Sequence, residues 1–163
     1  VLTDWARQQG SARVGVGGAS LGALAAQLAG VHSAHWPEAW RPDMLGLITF
    51  CDQVHQLALR SALSVRTGLS QALTSAGWTP ERAARWLHFT DAVGTPVVSP
   101  DNIVAVLGTE DEITPYDIAE AQLERWGVPP ENRFVSRRGH FSTPIALARN
   151  NDPLHRIGTI LTR

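Results

Sequence analysis

Four short strand-like runs, the first three largely apolar and all separated by helix-forming segments, constrain this chain more than any other feature. They are "ARVGVGGAS" (12–20), "MLGLITFC" (44–51), "IVAVLG" (103–108) and "NRFVSRR" (132–138). A strand that is apolar on both sides must be covered on both faces, and strands alternating with helices connect in parallel. We therefore expect an α/β fold: a mostly parallel sheet with helices on both faces. Residues 2–9 read as a helix stopped by Gly10, and "LGALAAQLAG" (21–30) as a helix ended by Gly30. Residues 53–76 are helical in composition up to the break at Gly77. Thr79 then caps a helix over about 81–90, with Pro80 at its first position. "TPYDIAEAQLERWG" is a helix closed by Gly127, and the tail from about Pro144 is helical.

A length of 163 residues with 44% hydrophobic side chains makes one domain, residues 1–163, with a sizeable core. The formal net charge is -1 and no block of like charge stands out, so no nucleic acid or anionic membrane is expected as a partner. All 14 basic residues are arginine. Without lysine, a Ser-Lys dyad, a Schiff base and a Walker-type phosphate loop are excluded. A single cysteine, Cys51, forms no internal disulfide and no zinc cluster, so no metal is expected and a reducing, cytoplasmic setting suits the chain. No run of about 18 apolar residues and no basic-then-apolar leader occurs, so neither a membrane span nor a signal peptide is expected. The chain opens on Val1, as a processed or shortened polypeptide would.

Within "GVGGASLGAL" (15–24), Ser20 stands in Gly18-Ala19-Ser20-Leu21-Gly22, where strand turns into helix. A Gly-x-Ser-x-Gly pattern alone is weak evidence, because a glycine turn can carry an incidental serine. Its setting gives it weight: a sharp strand-to-helix turn exposes the hydroxyl and aims the backbone N–H of Leu21 at a developing oxyanion. Such a serine needs a base, and the base an orienting acid. Of six histidines, His140 alone lies just past a strand and after a glycine, at the sheet end where sites collect. His32 and His35 share a loop with no evident third metal ligand, while His55, His88 and His155 fall in helices. For the acid, Glu110, Asp111 and Glu112 follow the third strand directly, although three carboxylates together commonly form a solvated loop. Asp52, after the second strand, is a fourth candidate.

Gly18-Ala19-Ser20-Leu21-Gly22 at an elbow, Gly108-Thr109-Glu110-Asp111 with Pro115 after the third strand, and Gly139-His140 after the last resemble the α/β-hydrolases, in that family's chain order. The resemblance covers essentially the whole chain. It implies the C-terminal portion of an α/β-hydrolase fold, with Ser20 as nucleophile, Asp111 as acid, His140 as base and Leu21 giving one oxyanion N–H. Asp52 matches a rarer placement of the acid, and residues 53–96 resemble a small helical cap insertion. The activity implied is carboxylic ester hydrolysis on a small-molecule ester through a Ser-His-Asp acyl-enzyme, with no cofactor. The family's earlier strands have no counterpart, which implies a homo-oligomer or a second chain supplying them. A catalytically silent relative is the first alternative. The second is a nucleotide-binding module, against which stand Ser20 in place of a third glycine and Glu38 in a loop rather than closing a second strand.

Overall fold

The computed structural model describes residues 2–163. Its strands are β1 (Gly15–Ala19), β2 (Met44–Ile48), β3 (Ile103–Gly108) and β4 (Arg133–Ser136). They form one sheet in the order β1-β2-β3-β4, and every neighbouring pair is parallel. Helix α1 (Leu2–Gln8) precedes β1, and between the first three strands lie α2 (Leu21–His32), α3 (Val54–Arg60), α4 (Ala62–Arg66), α5 (Leu69–Ser75) and α6 (Pro80–Leu87). After β3 come α7 (Tyr116–Arg125), α8 (Ser142–Ala146) and α9 (Asp152–Leu161).

Alternation along the strands divides the core in two. Leu45, Leu47, Ile103, Ala105 and Leu107 face Ala23 and Ala26 of α2 and Ala119 and Leu123 of α7, the larger cluster. Met44 and Val104 point the other way, onto Ile157, Ile160 and Leu161 of α9. Helices thus cover both faces, which is why β2 and β3 tolerate apolar residues at nearly every position.

Four expectations are corrected. The stretch 53–76 is not one helix but α3, α4 and α5. Ser61 is extended and its hydroxyl accepts the N–H of Ser64, starting a new helix, and Gly68 takes a left-handed φ of 76° before α5. Gly30 does not end α2, which runs on to His32; it is buried, and a Cβ there would lie 2.6 Å from Leu45 Cδ1. Gly30 leaves room for the Leu45 side chain between helix and sheet rather than marking a stop. The helical tail is broken in two, α8 and α9, and the helix over 81–90 narrows to a tight turn after Leu87. Thr79 caps as expected, its hydroxyl accepting the N–H of Arg82 at 3.2 Å.

β1 lies at one edge of the sheet. Val14 O accepts from Asp43 N–H and Ser20 N–H donates to Ile48 O, so even-numbered residues face β2. In a parallel ladder alternate residues bond to opposite sides, so Gly15, Gly17 and Ala19 turn their N–H and C=O groups outward, where no further strand lies among the described residues.

Candidate active site

Ser20 occupies the one-residue turn between β1 and α2, with φ 52° and ψ -117°. A non-glycine residue in this region is strained, and the turn is held by contacts on both sides. Ser20 N–H donates to Ile48 O at 2.9 Å, and Ser20 O accepts from Leu24 N–H at 3.0 Å. Of the two flanking glycines Gly18 has a steric cause: a Cβ there would lie 2.5 Å from the carbonyl carbon of Gly22, so strand and helix could not approach this closely with a side chain at 18, whereas a Cβ on Gly22 would meet nothing within 4 Å. As the first residue of α2, Leu21 contributes one of the N–H groups that a helix start leaves without an internal partner.

Asp111 lies in the loop after β3 and its side chain is 1% exposed. Its Oδ1 accepts the N–H groups of Ile113 and Thr114, both at 2.8 Å, and its Oδ2 accepts the Thr114 hydroxyl at 2.7 Å. Burial of a carboxylate is tolerable here because donors surround it. His140, also buried, follows β4 in a loop tied back by Thr143, which donates its N–H to Gly139 O at 3.1 Å. His140 Nδ1 lies 2.8 Å from Asp111 Oδ2, and its Nε2 lies 2.9 Å from Ser20 Oγ. The Phe141 ring stands edge-on to the imidazole, 5.2 Å between centroids.

Ser20, His140 and Asp111 therefore meet at the carboxyl ends of β1, β4 and β3, although 120 residues separate the serine from the histidine. With Asp111 accepting at Nδ1–H, Nε2 carries a lone pair toward the serine hydroxyl, the arrangement in which an imidazole can take a proton from an attacking oxygen.

The other candidates are engaged elsewhere. Glu110 pairs with Arg137 at 2.6 Å and Glu112 with Arg66 at 3.4 Å, all at the surface. Asp52 is buried and pairs with Arg125 of α7 rather than with His140. Burial pushes the Asp52 carboxyl above the usual carboxylate range; the Arg125 guanidinium opposes this, and nearby Asp91 adds to it. His55 Nδ1 sits 2.7 Å from Asp91 Oδ2, and His88 Nδ1 lies 2.8 Å from Arg85 O. His32 closes α2, His35 lies in the turn after it, and His155 lies exposed on α9. Among the described residues no group of three side chains could hold a metal ion, and no helix is long and apolar enough to cross a membrane. Burial pushes the Cys51 thiol up to about 12, so it is no nucleophile near neutral pH.

Sequence reasoning missed Thr114, which touches both Asp111 and His140. The signal was present in Asp111-Glu112-Ile113-Thr114, since an aspartate commonly accepts N–H groups two and three residues on.

No protein-family model matches this chain, and no curated protein does. Among solved structures, the Pyrococcus horikoshii acylaminoacyl peptidase in its orthorhombic crystal form superposes on 95% of the chain with a TM-score of 0.54 at 10% identity. The uncomplexed form of that enzyme superposes on 92% with a TM-score of 0.50 at 12% identity. The chain spans about a quarter of those proteins, 24% and 23% of their lengths. At such identity the likeness shows the fold alone: the four parallel strands and their helices are arranged as in part of an α/β-hydrolase.

Proposed function

We propose that this chain belongs to the α/β-hydrolases and is a serine hydrolase of carboxylic esters, with Ser20 as nucleophile, His140 as base and Asp111 as orienting acid. The observation that carries the reading is His140 bridging Ser20 Oγ at 2.9 Å and Asp111 Oδ2 at 2.8 Å. Ser20 Oγ attacks the ester carbonyl while His140 Nε2 takes its proton. The Leu21 N–H, at the positive end of α2, donates to the oxygen of the tetrahedral intermediate. As that intermediate collapses, the imidazolium returns the proton to the departing alcohol, leaving an acyl-Ser20 ester. Water, deprotonated by His140, then attacks this ester, and as the second intermediate collapses the imidazolium returns its proton to Ser20 Oγ and the acid is released. The chemistry calls for no cofactor.

In this proposal residues 1–163 form one domain and residues 53–96 serve as its cap. Support comes from Ala62, whose N–H donates to Glu112 O at 2.9 Å, joining the inserted helices to the loop that carries Asp111. The outward backbone groups of Gly15, Gly17 and Ala19 support a partner at β1, a second copy or a chain carrying further strands, because an unpaired edge invites pairing. A cytoplasmic setting belongs to the same proposal. Nothing in the geometry favours nucleotide binding: Glu38 is exposed in a turn before β2 rather than at a strand end.

A fluorophosphonate, which reacts only with an activated serine, tests the central assignment. Wild-type protein should label and Ser20→Ala should not. Labelling that survives in Ser20→Ala, or none in folded wild type, refutes it. A monodisperse monomer by light scattering with full esterase activity would remove the partner.

A further inference from the structure

The geometry points to Thr114 as a positioning residue that sets the tautomer of His140, an inference that rests on the reading of Ser20, His140 and Asp111 as one reacting unit. Thr114 is buried, and its hydroxyl oxygen lies 2.7 Å from Asp111 Oδ2 and 3.3 Å from His140 Nδ1. A hydroxyl has one proton to give. Asp111 Oδ2 can only accept, and it is the nearer neighbour, so the proton goes there. The lone pairs of Thr114 Oγ1 are then left toward Nδ1.

His140 Nδ1 accordingly faces two acceptors, Asp111 Oδ2 at 2.8 Å and Thr114 Oγ1 at 3.3 Å. A protonated Nδ1 satisfies both through one shared N–H. An unprotonated Nδ1 would set its lone pair against both oxygens, or force the Thr114 proton away from the carboxylate. With Nδ1–H secured, Nε2 bears the lone pair that Ser20 Oγ–H needs at 2.9 Å. A ring flip would place a carbon against both acceptors and is opposed for the same reason.

Thr114 also fixes the carboxylate. Its N–H and hydroxyl are two of the three donors, apart from His140, that hold Asp111, one on each oxygen. With the third, the N–H of Ile113 on Oδ1, they leave the carboxylate little freedom to rotate away from the imidazole. Thr114 meets His140 at Nδ1, on the opposite side of the ring from Ser20, so it orients the base without touching substrate.

The experiment compares Thr114→Val, which keeps shape and loses the hydroxyl, with Thr114→Ser, which keeps the hydroxyl. Thr114→Val should lower kcat by about tenfold, the loss expected for one hydrogen bond to a charged pair, and leave KM unchanged; Thr114→Ser should restore most of it. Nitrogen NMR of the imidazole should show wild-type His140 protonated at Nδ1 and bare at Nε2, and a mixture of tautomers in Thr114→Val. A folded Thr114→Val with kcat within about twofold of wild type and an unchanged tautomer overturns the inference. If Thr114→Val does not fold, a wild-type His140 protonated at Nε2 overturns it equally. The tautomer is read without turnover, so a wild type that fails to label with fluorophosphonate refutes the hydrolase reading while the NMR result still decides the role of Thr114.

Discussion

Two histidines in this chain hold a buried aspartate through Nδ1 with nearly the same geometry, His140 on Asp111 at 2.8 Å and His55 on Asp91 at 2.7 Å. Their surroundings differ. His140 has Ser20 Oγ at Nε2, whereas His55, on α3, has no hydroxyl bonded to its Nε2 among the described residues. Asp111 is held by donors on both oxygens, while Asp91 Oδ1 is buried without a hydrogen bond, as is Oδ1 of neighbouring Asp52. Both carboxylates of that second cluster sit where the inserted helices leave the sheet and return to it, and Ala92 N–H donates to Asp52 O at 3.0 Å. A histidine–aspartate pair is thus no site in itself. The first pair lies at the carboxyl ends of the strands beside a strained serine; the second ties the two stems of the inserted helices together.

The largest expected effect separates the pairs by turnover. Asp111→Asn should lower kcat by about ten-thousandfold, as the corresponding acid-to-amide change does in a serine protease, because the amide favours the wrong tautomer. Asp91→Asn, Glu110→Gln and Glu112→Gln should stay within about threefold. Ester kinetics check all four, and full activity in Asp111→Asn would break the comparison. Stability should separate the pairs in the opposite sense. Asp91→Asn removes the charge from a buried pair that clamps two chain segments, and should cost roughly 1–3 kcal/mol in urea unfolding. An Asp91→Asn variant as stable as wild type would show that the stem cluster does not hold the insertion down.

A smaller effect concerns Asp52 and pH. Because burial raises its folded-state pKa above the ordinary aspartate value of 3.8, the folded protein binds this proton more tightly than the unfolded chain. Its contribution is present in full below 3.8 and is lost as pH rises through the folded-state value. The stability of wild type relative to Asp52→Asn should therefore decline with rising pH above 3.8, which unfolding measured across pH 4–7 would show. A difference that grows with pH would mean that the Arg125 pairing outweighs desolvation.

Reading along the chain recovered what neighbours in sequence dictate. Apolar runs and breaks place all four strands, and the setting of Ser20 marks the elbow. Such features arise from interactions over a few residues: a cap three positions on at Thr79, or a glycine at 18 that packs against the backbone four residues on. Residues 53–76 are not legible in this way, because their apolar content suits a helix while the turns at Ser61 and Gly68 decide that there are three.

The tertiary structure decided which carboxylate faces His140. The residues alone left Glu110, Asp111, Glu112 and Asp52 open, and only the resemblance to a family singled out Asp111. In the fold, Asp111 turns inward because Ile113 and Thr114 donate to it, while its two neighbours find arginines at the surface. Asp52 is drawn to Arg125, 73 residues away. Local pattern carries no information on such distances, because the pairing of β3 with β4 sets which loops meet. The amino-acid order by itself determined the four strands, their parallel arrangement and the sharp turn at Ser20; the packing of loops at the carboxyl ends of the strands decided which acid and which hydroxyl stand behind the imidazole.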